Sequence, residues 1–118
     1  MQPKRIALLA RDAADAKKAE EPVILDIAKF TSIAHYFVIV HGNSNRHVQA
    51  IADHVIETLK AEKIRLWHSE GREDGRWILL DFGSVLVHVF YHETRNFYGL
   101  ERLWGEAPRL EEHDGPKT

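Results

Sequence analysis

The chain has 118 residues, of which 16 are basic and 18 acidic, giving a formal net charge of −2 at pH 7. It contains no cysteine, which excludes disulfides, thiolate catalysis and cysteine-ligated zinc, and its charge balance argues against a protein that mainly binds a phosphate backbone. Its 44% hydrophobic and 29% charged residues are typical of one soluble domain, and no apolar run approaches the roughly 20 residues of a membrane span, so we expect a cytoplasmic protein.

The N-terminal part of the chain predicts one helix and two strands. Small apolar residues recur at helical spacing over Pro3–Glu20, and we expect Pro22 to end this helix. A strand follows at Val23–Ala28. His35–His41 is an uninterrupted β-branched and aromatic run, which is typical of a strand buried on both faces.

The strongest periodicity in the chain lies at Asn45–Glu62. Its apolar side chains form one helical stripe that must be buried against a sheet, and Ser44 or Asn43 is a suitable N-cap. Ile64–Ser69 is predicted as a third strand, and Glu70–Arg76 as a charged loop. A helix between the second and third strands permits a parallel crossover.

Two further apolar runs, Trp77–Phe82 and Val85–Phe90, flank Gly83-Ser84 and predict a hairpin with a type II′ turn. The turn sets a register in which one face is wholly apolar and therefore buried: Ile78, Leu80, Phe82, Val85, Val87 and Val89. The other face, called the hairpin face below, carries Trp77, Leu79, Asp81, Leu86, His88 and Phe90. Aromatic side chains on such a mixed surface are typical of protein contact.

Short helical turns are predicted at His92–Phe97 and Leu100–Trp104, separated by Gly99. Residues 105–118 are polar and contain two prolines and two glycines, so we expect a flexible tail after a single domain over 1–104. The element order predicts an α/β sandwich with a mixed sheet of about five strands and flanking helices.

Several linked motifs resemble the ribosome silencing factor family, also called Iojap-related. The segment HYFVIVHGNSNRHVQAIADHV at His35–Val55 is similar to the family's strand, Gly-x-Ser turn and helix. Glu70-Gly71 followed by WILLDFGSVLVHVF resembles its C-terminal hairpin, and ETRNFYGLERLW at Glu93–Trp104 resembles its closing signature.

The resemblance implies a non-enzymatic factor that binds the large ribosomal subunit through ribosomal protein fourteen. Bound there, it would block subunit joining sterically and repress translation. The resemblance also implies a homodimer in some members, a fold related in outline to nucleotidyltransferases, and no cofactor. Contact with ribosomal RNA and the choice of dimer surface stay open, because a dimer could use the docking surface or another edge.

The hairpin face is the predicted docking site, extended by three residues near the C-terminus. The predicted partner-binding residues are Trp77, Leu79, Asp81, His88, Phe90, Tyr91, Arg95 and Tyr98. The alternative is that the C-terminal helical turns cover this face, and we expect Phe97, Leu100 and Leu103 to attach those turns to the sheet. Asp81 could instead fix the strand end beside the turn.

An enzyme is the alternative function, namely a small nucleotidyltransferase whose turn at Gly42-Asn43-Ser44 would hold phosphate. The sequence lacks the paired carboxylates that would hold Mg²⁺ downstream of that turn. Of the eight histidines, His88 and His92 are four residues apart, but a strand at His88 removes the helical ligand geometry. We therefore expect neither a catalytic nor a metal site.

Overall fold

A five-stranded mixed sheet with helices on both faces forms the body of the protein. The computed structural model describes residues 2–110. In chain order the elements are α1 (Pro3–Ala16), β1 (Glu20–Asp26), β2 (Tyr36–Gly42), α2 (Asn45–Ala61), β3 (His68–Glu70), β4 (Trp77–Asp81), β5 (Val85–Tyr91), α3 (His92–Tyr98) and α4 (Leu100–Leu103). The strand order is β1-β2-β5-β4-β3, so the predicted α/β class with a mixed sheet is confirmed.

The β4–β5 hairpin has the predicted register. Trp77 lies opposite Phe90, and Asp81 lies opposite Leu86. Gly83 has a φ of +88°, as a type II′ turn requires at its first central position. All six side chains of the predicted apolar face are at most 4% exposed. The face assignment therefore follows from the two-residue turn and the alternation of the strands.

The helices α1 and α2 cover that apolar face. The predicted stripe of α2 is buried except at Ile56, which is half-buried. The Oγ of Ser44 accepts the N–H of His47 at 3.0 Å, which confirms Ser44 as the N-cap. Every residue of β2 is buried, because the strand lies between β1 and β5 with side chains packed on both sides. β2 runs parallel to β5, its neighbour, and the hairpin separates β2 from β3.

The first helix is shorter than predicted. It ends at Ala16, where Lys18 adopts a left-handed φ of +62° and the N–H of Ala19 bonds back to the carbonyl of Ala14. Pro22 does not end the helix, because it lies inside β1, where an irregular register accommodates a residue without an N–H.

The third strand is also shorter than predicted and covers only His68–Glu70. The preceding residues 64–67 form no regular ladder. Their link to the sheet is the N–H of Trp67, which donates to the carbonyl of Asp81 at 2.8 Å.

The segment after α4 differs from the predicted flexible tail. Ala107 is buried, the N–H of Asp26 donates to the carbonyl of Pro108, and the N–H of Leu110 donates to the carbonyl of Ile24. Residues 107–110 therefore lie along the outer edge of β1, where the backbone would otherwise lack partners. The rest of the predicted tail, 111–118, lies outside the described residues. Within residues 2–110, no helix has the length and apolar character needed to cross a bilayer.

We predict that Gly83→Ala lowers the free energy of unfolding by about 1–2 kcal/mol, because an L side chain at this positive φ is strained. The added Cβ would also lie 2.9 Å from the ring of Trp67, but that ring is exposed and can move. Urea denaturation measures the loss. Gly83→Asn should cost less, since asparagine is common at such turn positions, and equal losses in both variants would contradict a conformational cause.

Candidate functional site

The hairpin face is divided into a covered part and an accessible part. Phe90 is fully buried and His88 is 5% exposed, so the prediction that these two rings are offered at the surface is wrong. They are covered because the C-terminal helices and residue Ala107 close a second apolar cluster over β1, β2 and β5. Trp77 and Leu79, on the outer strand of the hairpin, stay half-buried.

The indole of Trp77 is fixed from three sides. Its Nε1 donates to the Nδ1 of His88 at 3.2 Å. Its ring centroid lies 4.9 Å from that of Phe90 and 4.8 Å from that of Tyr98. The buried residues thus support an indole whose remaining surface faces solvent.

His88 is held in its neutral form. Because the indole N–H can only donate, Nδ1 of His88 accepts and Nε2 carries the proton. Burial lowers the pKa of His88 to about 4. Its Nε2 has no hydrogen-bond partner among the described residues, so a second proton would place an unsolvated charge beneath Trp77.

Two further predicted site residues have structural contacts of their own. The Oδ1 of Asp81 accepts the N–H of Gly83 at 2.8 Å, which fixes the strand end as the alternative interpretation proposed. Tyr91 lies on the other face of β5 and packs against the cluster beneath α1 and α2. Its placement as an extension of the hairpin face is wrong, because strand alternation puts it on the side of Val89.

Arg95 is buried and faces the interior. Its guanidinium bonds to the Oε2 of Glu101 at 2.9 Å and to the Nδ1 of His41 at 2.9 Å. It also donates to the carbonyl of Glu20 at 3.3 Å. These contacts, called the Arg95 network, join both C-terminal helices to β1 and β2. Arg95 is therefore unavailable to a partner in this conformation.

The Arg95 network also sets two protonation states. Burial, reinforced by the charge of Arg95, lowers the pKa of His41, and Arg95 requires an unprotonated Nδ1 as acceptor. Burial alone would raise the pKa of Glu101, but the hydrogen bonds and charge of Arg95 outweigh it, and the pKa is lowered. A neutral histidine and an ionised glutamate thus surround the buried cation.

The outer side of α3 and α4 is apolar and exposed. Phe97 is 80% exposed, Leu103 74% and Tyr98 49%, so the prediction that Phe97 and Leu103 attach the helices to the sheet is wrong. Leu100 is buried and does have that role. At 100° per residue, a helix that turns Arg95 inward must turn Phe97 outward, which is the signal that sequence analysis missed.

Trp77 and α3 together border a cleft of about 390 Å³, called the aromatic cleft below. It is lined by Asp74, Arg76, Trp77, Thr94, Phe97 and Tyr98. An ion pair at 3.7 Å joins Asp74 and Arg76 at its polar side. Three aromatic rings beside a charged pair resemble the composition of protein interfaces.

The turn at Gly42-Asn43-Ser44 uses its polar groups internally. The N–H of Asn43 donates to the Nδ1 of His47 at 3.0 Å, and Ser44 caps α2. The feature on which the enzyme alternative rested therefore has a structural explanation. Over residues 2–110, no group of three potential ligands is placed to hold a metal ion.

Comparisons with known proteins agree with the sequence motifs. The family model described as "Ribosomal silencing factor during starvation" matches residues 1–118. The chain is 43% identical to Ribosomal silencing factor RsfS of Halalkalibacterium halodurans over 94% of this chain and 95% of the relative. It is also 43% identical to Ribosomal silencing factor RsfS of Bacillus subtilis, over 92% of each.

A solved structure has the same fold. The crystal structure of a protein from Chromobacterium violaceum superposes with a TM-score of 0.87 at 38% identity, covering 89% of this chain and 88% of that one. The likeness in outline to nucleotidyltransferases stays a prediction.

We predict that His88 makes the fold less stable in acid. The pKa of His88 is lower in the folded protein, so the unfolded chain binds the extra proton, and stability present above pH 6.5 is lost as the pH falls towards 4. Between pH 7.5 and 5.0 this loss is about 2 kcal/mol. Urea denaturation of the parent and of His88→Gln at both pH values measures it. His41 contributes with the same sign in both proteins, so an unchanged pH dependence in the variant would contradict the assignment.

We further predict that Arg95→Met lowers the free energy of unfolding by about 2–3 kcal/mol, because it leaves Glu101 ionised and partly buried without its cation. Hydrogen exchange of the α3 amides should accelerate in this variant. Arg102→Met is the matched control, since Arg102 is exposed on the neighbouring helix. Similar losses in both variants would show that the Arg95 network does not hold these helices.

Proposed function

This chain belongs to the ribosomal silencing factor family, and on that premise we propose that it represses translation by binding the large ribosomal subunit. The partner on the subunit is ribosomal protein fourteen, and the bound domain occupies the space that the small subunit needs. The observation that carries this proposal is an aromatic group in which Phe97 and Tyr98 of α3 are exposed and Tyr98 contacts the half-buried indole of Trp77 on β4.

The aromatic cleft is the proposed centre of the docking surface. Phe97 and Tyr98 contact each other edge to face with ring centroids 5.2 Å apart, and Tyr98 reaches Trp77. Rings already held by their neighbours lose little conformational freedom on binding. Leu79 and Asp81 extend the surface along β4, while His88, Phe90 and Arg95 support it from beneath.

The rim of the cleft can orient the partner. Asp74 and Arg76 are exposed beside the aromatic rings, and their charges favour one direction of approach over others. Burial of the rings supplies most of the affinity, since Trp and Tyr often dominate interface energetics. The domain needs no chemical step for this activity, because exclusion of the small subunit is steric.

We predict that Trp77→Ala weakens binding to purified large subunits by roughly 30-fold, which corresponds to about 2 kcal/mol for an interface hot spot. Phe97→Ala is the cleaner variant, because its 80% exposed ring can be removed without unfolding the protein. Co-sedimentation through a sucrose cushion measures retention on the subunit. A joining assay with both subunits should show less inhibition by each variant.

Trp67→Ala is the matched control. Trp67 is 74% exposed but lies beside the Gly83 turn, at the other end of β4 from Trp77. Light scattering on all three variants checks whether a homodimer uses the same surface. Full retention of both Trp77→Ala and Phe97→Ala on the large subunit would overturn the docking assignment.

A further inference from the structure

A second cleft lies at the end of α2, on the opposite side of the sheet from the aromatic cleft. It has a volume of about 450 Å³ and is called the basic cleft below. Three aliphatic side chains and three cations line it, namely Ile56, Ile64, Leu66, Lys60, Lys63 and Arg65. Ile56 and Leu66 pack against the cluster beneath α1 and α2, which places this cleft away from Trp77.

The cations of the basic cleft have no carboxylate partners within the part of the chain that is described. Elsewhere on the surface, Arg72 pairs with Asp53 at 3.2 Å and Arg76 pairs with Asp74 at 3.7 Å. Lys60 lies in the last turn of α2, where the helix dipole favours a cation. Lys63 and Arg65 lie beyond the helix and have no such explanation.

Lys63 occupies a position that suits glycine. It has a φ of +65°, and the N–H of Ile64 bonds to the carbonyl of Leu59 at 2.8 Å in the pattern of a Schellman motif. A side chain at this left-handed position is strained, so a lysine there reduces the stability of the fold. The position nevertheless carries a cation at the edge of the basic cleft.

We propose that the basic cleft binds an amphipathic acidic helix of a partner protein. Aliphatic side chains of that helix would pack against the floor formed by Ile56, Ile64 and Leu66. Its carboxylates would form ion pairs with the three cations. Charge complementarity favours an acidic ligand, and the aliphatic floor favours a peptide over RNA, because none of the six lining residues is aromatic and able to stack on a base. The proposal is independent of ribosome docking, since the two clefts lie on opposite sides of the sheet.

Fluorescence anisotropy with a labelled synthetic peptide tests the proposal. The probe is an amphipathic helix of about 15 residues, with leucine on one face and glutamate on the other. Lys63→Gly should weaken binding about threefold and Arg65→Glu about tenfold, with the parent's affinity falling as salt rises. Lys63→Gly should also raise the Tm by a few degrees, about 4 °C, because glycine relieves the strain.

Lys18→Gly is the matched control. Lys18 has a φ of +62° at the corresponding position after α1, and it is exposed near the first turn of α2, about 25 Å from the basic cleft by the length of that helix. The Lys18→Gly substitution removes the same charge and the same strain, so the Tm of this variant should rise while its affinity for the peptide is unchanged. Equal affinity of the parent and Lys63→Gly would overturn the proposal, as would tighter binding of an oligouridine probe than of the peptide.

Discussion

The register of the β4–β5 hairpin is the constraint on which the rest of the structure depends. A shift of one residue would carry every side chain to the opposite face and expose Val87 and Val89. The turn at Gly83 prevents this, because a two-residue loop admits one pairing of the strands that it joins. Both the core beneath α1 and α2 and the support beneath Trp77 follow from that pairing.

The Arg95 network is the second constraint, and it determines which side of α3 faces the solvent. A guanidinium held by Glu101 and His41 fixes the rotation of α3 about its axis. Phe97, two residues further along, then has to point outward. A buried polar interaction is thus the physical cause of an exposed aromatic surface, which hydrophobicity alone would have placed inside.

The two sides of the sheet differ in how completely they are covered. One side is sealed by two long helices, and the other is half covered by the short C-terminal helices and Ala107. Because this side is only half covered, its aromatic side chains form two layers. His88 and Phe90 are in the buried layer, and Trp77 and Tyr98 are in the accessible one. Contacts with the buried layer restrict the movement of the accessible rings, as a rigid binding surface requires. The neutral state of His88 belongs to this arrangement, because a charged ring would destabilise the buried layer.

The sequence by itself determined the elements whose signals are local. The turn, the alternation of the hairpin, the apolar stripe of α2 and its cap at Ser44 depend on residues within one or two turns or strands, and all four were predicted correctly. Tertiary structure alone decided which part of the hairpin face is covered, where residues 107–110 lie, and that Arg95 points inward. These outcomes depend on contacts between segments that are distant in the sequence, such as Arg95 with Glu20 and His41. The periodicity of one segment does not encode which other segment will cover it. The physical reason is that the burial of a side chain and its hydrogen-bond partners depend on the packing of the whole chain. Secondary-structure propensity and the spacing of apolar residues depend only on neighbours in the sequence.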